Sequence, residues 1–327
     1  MTTVPPFKVS VIIAARVGQT QVAALDGLSQ LLGDANGIEV LLVRGRSPSR
    51  QRNLAAGEAQ GEILYFLDDD SLIASGAVER LRNEFSDPRV SVLGGPNLCP
   101  SDASFLHRVF AAVMGNRLVF GPSSARYRRI GRRRLSSEKE LILCNMAIRA
   151  SAFHRAGGFD ESLYPNEENA LLDEIAKTGD QIVYDPELLV SRYPRSTLSA
   201  FVRMLYRYGR GRGEQVRLYP GVSSVLNFVP AMFVVYLVGL AILSLVSSEL
   251  LQPFLIPLVF YAALSVAWTL ASRWRLGLPV VVASIPLVPV SHIAYGLGLW
   301  KGLIAGVAKP GEMDDKGEVT LERPSLS

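Results

Sequence analysis

Short apolar runs alternate with amphipathic stretches along the N-terminal part of the chain. Three of these runs predict β-strands, at Lys8–Ala15, Glu39–Val43 and Ile63–Leu67. Helical spacing of apolar residues follows each strand, over 19–32, from Pro48 onward and over 76–85. Continuous apolar strands that alternate with helices are typical of a parallel sheet covered on both faces, and such sheets bind ligands at the carboxyl ends of their strands.

A second group of elements is predicted between residues 140 and 185. Glu140–Arg149 has the pattern of a strand, and a helix and a further strand follow it. Glu167 and Glu168 fall near the first turn of that helix, where the helix dipole favours negative charge. The two groups together predict an α/β domain over residues 1–195.

The pattern changes after residue 222, where three apolar segments carry almost no charge: 223–246, 250–271 and 278–300. Each has about 22–24 residues, and a helix of that length can cross a hydrocarbon core of roughly 30 Å. Buried core helices are the alternative, but they would need a second globular core that the remaining sequence cannot supply. We therefore expect about three transmembrane helices within 223–307, followed by a polar tail over 308–327.

Charge near these segments predicts their orientation. Basic residues precede the first segment in RYGRGRGEQVR (207–217) and join the second to the third in SRWR (272–275), whereas SSE (247–249) has none. Lys and Arg remain on the cytoplasmic side of a membrane, so the N-terminal domain is expected to be cytoplasmic. Three full crossings would then place the tail outside, unless the third segment is re-entrant.

Two basic stretches lie outside the apolar segments. Residues 198–209 place apolar side chains on one helical stripe and arginines off it, so 196–222 is predicted to be an amphipathic interfacial helix with a basic juxtamembrane segment. Packing against the domain is the alternative. The run ARYRRIGRRR (125–134) is either a solvated face or a binder of anionic headgroups or lipid-linked phosphates, and no pattern of nucleic-acid recognition accompanies it.

Three consecutive carboxylates, Asp68, Asp69 and Asp70, end the third predicted strand. Side chains alternate along a strand, so Asp68 and Asp70 are expected to point one way and Asp69 the other. Two carboxylates on one side can hold a Mg²⁺ or Mn²⁺ ion that completes its shell with water and substrate phosphate oxygens. A solvated turn, in which Asp70 and Ser71 cap the next helix, is the alternative.

Several blocks, taken in order, resemble the family 2 glycosyltransferases. They are VSVIIAAR, RNLAAGEAQGEILYFLDDDS, NMAIRASAFHRAGGFDESLYPNEENALLDEIAKTG and IVYDPELLV. GGPNL (94–98), RYGRGR (207–212) and HIAYGLGLWKG (292–302) are similar to the membrane-anchored branch that builds bacterial exopolysaccharide repeats, the succinoglycan-type glucosyltransferases. The resemblance implies a nucleotide-diphospho-sugar (GT-A, Rossmann-like) fold.

The resemblance also implies roles for individual residues. Asp68 and Asp70 match the outer positions of the Asp-x-Asp motif that binds the metal and the donor diphosphate, with Asp69 in the middle. Glu168 matches the general base, and Glu167 matches the acid that precedes it. The other matched positions lie near the nucleotide: Ala14, Ala15, Arg16 and Arg52. Arg207, Arg210 and Arg212 fall loosely in the region near donor and acceptor, where they would contact a lipid phosphate.

Two positions depart from the family pattern. Arg44-Gly45-Arg46-Ser47 stands where the family usually has acidic residues that hold the base or the ribose, so the family's acidic contact has no counterpart at these positions. The pair at the general-base position is Glu-Glu and not Glu-Asp, so either Glu167 or Glu168 could take the proton, or both could be ordinary solvated glutamates at a helix start.

The resemblance predicts an inverting, metal-dependent hexosyltransferase in a bacterial-type plasma (inner) membrane. Its partners would be a nucleotide-diphospho-sugar, a polyprenyl-diphosphate-linked saccharide acceptor and membrane lipids, with no nucleic acid. Transfer directly to polyprenyl phosphate is a near alternative, and a processive synthase is disfavoured because three spans make a poor channel. A membrane scaffold or transporter with a nucleotide-binding domain and no chemistry is the alternative from another class.

Overall fold

The structure, a computed structural model, describes residues 8–32, 37–163, 165–219, 227–271, 276–305 and 319–325. The chain forms two compact units: Met1–Pro100, Ala125–Tyr193 and Ala308–Ser327 make the first, and Ser101–Ser124 and Pro194–Val307 make the second. Three predicted features lie wholly or partly outside the described residues: the start of the first apolar segment (223–226), SRWR (272–275) and most of the polar tail.

The first unit contains two sheets. In chain order the strands are β1 (Val9–Arg16), β2 (Ile38–Gly45), β3 (Ile63–Asp68), β4 (Leu72–Ile73), β5 (Val90–Gly94), β6 (Asn97–Leu98), β7 (Arg134–Leu135), β8 (Asn145–Arg149), β9 (Gln181–Tyr184), β10 (Val190–Ser191) and β11 (Thr320–Glu322). The larger sheet has the order β11-β2-β1-β3-β8-β5-β9-β7, and the smaller one has the order β4-β10-β6.

Helices of the first unit pack beside the larger sheet. They are α1 (Ala23–Leu32), α2 (Pro48–Glu58), α3 (Ala77–Glu84), α6 (Ala150–Arg155) and α7 (Glu167–Lys177); α4 (Phe105–Met114) and α5 (Arg117–Phe120) belong to the second unit. Apolar residues of the strands divide between two buried clusters, so the α/β class expected from the sequence is observed.

The larger sheet is mixed, which corrects the expectation of a parallel sheet. β1 pairs in parallel with β2 and β3, as expected, but β8 lies antiparallel between β3 and β5. Both faces of β8 are buried, so its residues show no alternation of apolar and polar positions. An apolar pattern of this kind indicates burial and carries no information on strand direction.

Strand register brings the carboxyl ends of the first three strands to one edge of the sheet. Ala14 of β1 lies opposite both Val43 of β2 and Asp68 of β3. Gln51 of α2 fixes two of these ends, because its side-chain amide donates to the backbone oxygens of Ala15 at 2.8 Å and Val43 at 2.6 Å. Residues after these strands are therefore held close together.

The smaller sheet brings a distant segment to the same edge. β4 begins two residues after Asp70, and β10 pairs with it so that Ser191 lies opposite Leu72. β10 also pairs with β6, and the backbone N–H of Arg192 donates to the carbonyl oxygen of Leu98 at 2.9 Å. Arg192 is thus fixed beside the end of β3.

The helix α7 begins at Glu167, as the sequence predicts. Asn166 precedes it with a φ of 105°, in the left-handed region that among residues with side chains Asn tolerates best. Its side-chain oxygen accepts a hydrogen bond from the Asn169 amide at 2.9 Å. This start places Glu167 and Glu168 in the first turn of the helix.

The strand β11 completes the larger sheet with residues that the sequence pattern assigns to a polar tail. It pairs antiparallel with β2, and Leu321 packs against the second buried cluster. Arg323 forms an ion pair with Glu39 at 2.7 Å. Residues on both sides of the apolar segments in the chain therefore belong to the same folded unit.

The second unit is helical. Its longer helices are α8 (Leu198–Leu218), α9 (Val229–Val246), α10 (Ser248–Ala271), α11 (Leu278–Ser284) and α12 (Leu287–Ala305). Three segments are long and apolar enough to cross a membrane: α9, residues 249–271 of α10, and α11 with α12, which together span 278–305. The prediction of about three C-terminal helices of this kind is confirmed.

The segment 101–124, which the sequence pattern includes in the N-terminal domain, packs with these helices. The Phe110 ring of α4 stacks on the Phe201 ring of α8, with 4.3 Å between the ring centroids. The Asn116 amide donates to the Thr269 hydroxyl of α10 at 3.0 Å. Sequence periodicity shows that α4 is an apolar helix but cannot show which unit it joins.

Glycines allow α8 and α12 to touch along their backbones. A Cβ atom added at Gly298 would lie 2.0 Å from the Tyr206 carbonyl oxygen, and one added at Gly302 would lie 2.1 Å from the Arg210 carbonyl oxygen. A Cβ atom added at Gly209 of α8 would lie 2.0 Å from the Tyr295 carbonyl oxygen. No side chain fits in these places, so the two helices form a tightly packed pair.

Candidate active site

Arg52 joins three segments that are far apart in the sequence. Its guanidinium donates to Asp68 Oδ1 at 2.8 Å and to Glu167 Oε1 at 3.1 Å. The side chain is 6% exposed, so both ion pairs lie largely out of water. Asn53, the next residue of α2, exchanges two hydrogen bonds with the Phe159 backbone, both at 2.9 Å. The structure therefore brings the predicted Asp68, Arg52 and Glu167 together.

The acids at the end of β3 have different partners. Asp68 Oδ2 accepts from Arg192 Nη1 at 2.6 Å, and Asp70 Oδ1 lies 2.5 Å from Arg192 Nε. Asp69 instead accepts a hydrogen bond from the Gln19 amide at 2.6 Å. The outer two acids thus share one arginine while the middle acid contacts another segment, which agrees with the alternation that the sequence predicts.

Glu167 is a buried carboxyl group. Its side chain is 3% exposed, and its Oε2 atom has no hydrogen-bond partner among the described residues. Burial raises the pKa of Glu167 from 4.5 to about 8, the Glu168 charge adds to the rise, and Arg52 opposes it.

Glu168 is the more accessible acid of the pair. Its side chain is 12% exposed, and Arg126 Nη1 lies 3.6 Å from its Oε1 atom. Arg126 is held in place by Asn169, whose side-chain oxygen accepts from Arg126 Nη2 at 2.6 Å, and by the backbone oxygen of Lys139. A positioned, partly exposed carboxylate of this kind can accept a proton from a bound molecule.

The expected nucleotide positions lie at the end of β1. Ala15 is buried, Ala14 is partly buried beside Asp68, and Arg16 is exposed. Arg44, one of the two departures from the family pattern, donates to the backbone oxygen of Gln19 and pairs with Glu322 of β11 at 2.8 Å. The structure therefore ties Arg44 to the C-terminal strand.

Asp68 and Asp70 fit a hard divalent cation. Their facing oxygen atoms converge on one positive group, and carboxylate oxygens are the donors that Mg²⁺ and Mn²⁺ prefer. Partial burial raises the pKa of Asp70, as do the charges of Asp68 and Asp69, and Arg192 opposes the rise. Among the described residues, no group of three or more His, Cys, Asp or Glu side chains could hold a metal ion.

Two further sets of arginines have protein partners. Arg207, Arg210 and Arg212 lie on α8 in the second unit, where Arg210 pairs with Glu214 at 3.3 Å and Arg212 donates to Gln215 at 2.9 Å. Their contact with a lipid phosphate stays a prediction. Most arginines of the 125–134 run pair with acids of the first unit, which favours a structural role: Arg126 with Glu168, Arg129 with Glu187, Arg133 with Glu84 and Arg134 with Glu140.

Sequence reasoning missed three residues of this region: Gln19, Arg192 and Glu322. Gln19 contacts Asp69, Arg192 bridges Asp68 and Asp70, and Glu322 holds Arg44. One signal for Arg192 was the excess of negative charge at Asp68–Asp70, which requires a neighbouring cation. Nothing in the sequence indicates which of many arginines supplies it.

A solved structure with a similar fold identifies the fold class. The chain is similar to the mannosyltransferase PcManGT from Pyrobaculum calidifontis, solved in complex with GDP-Man and Mn²⁺, with a TM-score of 0.59 and 15% identity over 92% of this chain and 88% of that one. Identity this low establishes the fold alone. The predicted nucleotide-diphospho-sugar (GT-A) fold is confirmed.

The family is shown by a longer match. The family described as Glycosyl transferase family group 2 matches residues 63–302. This range includes the aspartates at the end of β3, Glu167 and Glu168 of α7, and nearly all of the apolar helices. The chain belongs to glycosyl transferase family group 2. The resemblance found in the sequence is confirmed, and the three apolar helices mark the chain as a membrane protein.

Two curated relatives are similar over shorter regions. The succinoglycan biosynthesis protein ExoA of Rhizobium meliloti is 26% identical over 157 residues, which cover 48% of this chain and 46% of that protein. A pre-mycofactocin glycosyltransferase of Mycobacterium tuberculosis is 25% identical over 192 residues, which cover 55% of this chain and 37% of that protein. The chain thus spans less than half the length of the curated relatives it matches.

Proposed function

We propose that this chain is an inverting, metal-dependent glycosyltransferase. It moves a hexose from a nucleotide-diphospho-sugar to a membrane-bound saccharide, held on a polyprenyl diphosphate, in the synthesis of a cell-surface polysaccharide. The observation that carries the proposal is the pair of contacts made by Arg52, which joins the Asp68 carboxylate to the first turn of α7. The carboxylate proposed for the donor side and the helix turn that carries Glu168, the proposed base, are thereby joined through one guanidinium.

In the proposed reaction, one displacement at the anomeric carbon joins the two substrates. The acceptor hydroxyl oxygen forms a bond to this carbon, its proton passes to Glu168, and the bond from the carbon to the diphosphate oxygen breaks. The oxygen attacks from the face opposite the leaving group, so the anomeric configuration inverts. A positioned carboxylate base contributes about 10²–10⁴-fold to such a step.

The leaving nucleoside diphosphate gains negative charge as the bond breaks. Arg52 and Arg192 lie beside Asp68 and provide positive charge at this edge of the sheet. A divalent cation bound by Asp68 and Asp70 would neutralise the diphosphate as a Lewis acid. Glu167 acts as a positioning residue, because its buried carboxyl group holds Arg52.

A screen of labelled nucleotide sugars tests this proposal. Purified full-length protein is incubated with each donor, lipid extract and either Mn²⁺ or EDTA, and the label that moves into the lipid fraction is measured. We expect one donor to label a lipid that releases a saccharide on mild acid treatment, and EDTA to abolish the transfer. Nucleotide sugar that is never consumed would favour the scaffold or transporter class instead.

The same screen distinguishes acceptor classes. The two relatives are named for different products, a polysaccharide and pre-mycofactocin, so relationship alone does not select the acceptor. The apolar helices support an acceptor held at the membrane. A released product longer than the donor sugar indicates a lipid-linked saccharide, a single released sugar indicates polyprenyl phosphate, and label in the aqueous phase alone contradicts both.

The C-terminal strand supports a specific membrane orientation. β11 pairs with β2, so the residues before α8 and the residues after α12 belong to one folded unit and share one side of the membrane. The chain between them therefore crosses an even number of times. We place this unit in the cytoplasm, at a bacterial-type inner membrane, because the basic residues flank the apolar segments on the side that carries it.

Burial of the helices supports a crossing by α9 and α10. In the 18-residue apolar stretch of each segment, 17% is buried within the protein for α9 and 11% for α10, whereas 44% is buried for α11–α12. α12 also packs along α8, and each arginine of α8 would cost about 2.5–3.5 kcal/mol in the centre of a bilayer. We therefore propose that α9 and α10 cross the membrane as a hairpin. The α11–α12 segment then begins and ends on the cytoplasmic side without crossing.

Labelling of single cysteines tests this orientation. In a background without Cys99 and Cys144, Ser247→Cys lies between α9 and α10, and Ser327→Cys follows β11. We expect a membrane-impermeant maleimide to label position 247 in intact cells and position 327 only after the cells are permeabilised. Labelling of position 327 in intact cells would indicate three crossings and contradict the proposal.

A further inference from the structure

We propose that Arg192 takes the place of the divalent cation while the donor is absent, and that the arriving cation displaces its guanidinium onto the donor diphosphate. The inference rests on the proposed function, since it assigns a further donor-binding residue to the same site. It concerns a residue that the sequence patterns did not single out.

The geometry makes Arg192 a competitor for the metal-binding oxygens. Its Nη1 atom donates to Asp68 Oδ2 at 2.6 Å, and its Nε atom lies 2.5 Å from Asp70 Oδ1. The other oxygen of Asp68 accepts from Arg52 at 2.8 Å. A cation bound between the two acids would need Asp68 Oδ2 and Asp70 Oδ1 as ligands, and these are the atoms that Arg192 contacts.

Electrostatic repulsion makes the guanidinium and the cation mutually exclusive at these oxygens. A guanidinium and a divalent cation cannot both lie within bonding distance of the same two oxygens, because their positive charges repel. Three consecutive carboxylates without any cation would also repel one another. Arg52 contacts Asp68 alone of these acids, whereas Arg192 contacts both outer acids and reduces their repulsion until the cation arrives with the donor.

Backbone hydrogen bonds hold the main chain at Arg192, so the proposed displacement concerns its side chain alone. Its N–H donates to the Leu98 oxygen at 2.9 Å, and the preceding Ser191 is paired with Leu72 in the smaller sheet. The side chain is 20% exposed, and it lies beside Asp70, whose side chain is 49% exposed. The planar fork of a guanidinium matches two phosphate oxygens, which makes the diphosphate a suitable new partner.

A consequence can be measured without catalysis. In the donor-free protein the cation must displace Arg192, and the displaced guanidinium gains no new anionic partner. Mn²⁺ alone is therefore expected to bind weakly. With a nucleoside diphosphate present, the displaced guanidinium gains a new anionic partner. Cation and nucleotide should therefore strengthen each other's binding, and Arg192 should carry part of this coupling.

The experiment measures free Mn²⁺ by electron paramagnetic resonance during titration of the full-length protein. It compares the wild type with Arg192→Gln, which removes the charge, and Arg192→Lys, which keeps it. Arg89→Gln is the matched control, because Arg89 forms a surface ion pair with Asp87. We expect Arg192→Gln to bind Mn²⁺ alone about tenfold more tightly than the wild type, and Arg192→Lys and Arg89→Gln to stay near the wild type.

A second titration adds UDP or GDP. Whichever diphosphate binds should strengthen Mn²⁺ binding less in Arg192→Gln than in the wild type. The proposal is overturned if Arg192→Gln binds Mn²⁺ alone no more tightly than Arg89→Gln, or if no protein in the set binds Mn²⁺. Should Arg192→Gln fail to fold, Arg192→Lys still tests the coupling, because its shorter arm is expected to lower it and an unchanged value would contradict the proposal.

Failure of the proposed function would give a different result. Tighter Mn²⁺ binding by Arg192→Gln, together with no turnover of any nucleotide sugar, would support the competition and refute the transferase. Turnover of a nucleotide sugar with no change in Mn²⁺ binding would support the transferase and refute the competition.

Discussion

Replacement of Glu168 by Gln should lower glycosyl transfer by about 10²–10⁴-fold, the usual contribution of a positioned base. The amide has nearly the same shape as the carboxylate and cannot accept the acceptor proton. Binding of donor and cation should remain, because Arg52, Asp68 and Asp70 do not depend on Glu168 for their contacts. The measurement is turnover at saturating donor, together with nucleotide binding in the presence of Mn²⁺.

Glu167→Gln is the matched control for this variant. Burial raises the pKa of Glu167 to about 8, which favours the protonated form, and Gln resembles the protonated acid. We therefore expect Glu167→Gln to keep turnover within about tenfold of the wild type, well above Glu168→Gln. The opposite order would show that Glu167 is the base.

Stability against pH gives an independent readout for Glu167. Its pKa in the folded protein lies above the ordinary value of 4.5, so between 4.5 and about 8 the folded state holds a proton that the unfolded state has lost. The contribution of this group to stability is present at low pH and declines as the pH rises through this range. Glu167→Gln should remove that part of the pH dependence.

Replacement of Asp70 by Asn should lower metal-dependent transfer by about 10³-fold, since a Lewis-acid cation contributes several kcal/mol to such a step and each 1.4 kcal/mol is a factor of ten. Asp70 is 49% exposed, and its ion pair with Arg192 lies at the edge of the protein, so folding should be preserved. Transfer measured over a range of Mn²⁺ concentrations should show half-saturation shifted to higher concentration.

Asp69→Asn is the appropriate comparison. Asp69 contacts the Gln19 amide and does not face Arg192, so it is not expected to bind the cation. Its replacement should leave the Mn²⁺ dependence close to that of the wild type. Equal losses in the Asp69 and Asp70 variants would argue against a cation held by the outer pair.

The sequence was sufficient for the features that depend on local pattern. Apolar runs of strand length predicted the first three strands, and the placement of Glu167 and Glu168 at a helix start was correct because these signals lie within a few residues. The opposite directions of Asp68 and Asp69 came from strand geometry alone. The family resemblance then linked these separate segments, and the family match confirmed it.

Features that depend on pairing between distant residues were not predictable in this way. β11 has only three residues, which is too short for a recognisable strand pattern. Its apolar Leu321 becomes part of the sheet only through pairing with the distant strand β2. Arg192 is one arginine among many, and it reaches Asp68 only because β10 pairs with β4. The antiparallel direction of β8 was equally hidden, since a strand buried on both faces looks the same in either direction.

The late position of β11 in the chain has a consequence for biogenesis. A ribosome synthesises β11 after all of the apolar helices, so β2 emerges with its outer edge unpaired and stays that way until the membrane segments have been made. An unpaired strand edge invites pairing with other chains. The larger sheet can be completed only after the apolar helices have been synthesised. The fully folded catalytic unit therefore forms after the membrane anchor of the chain has been made.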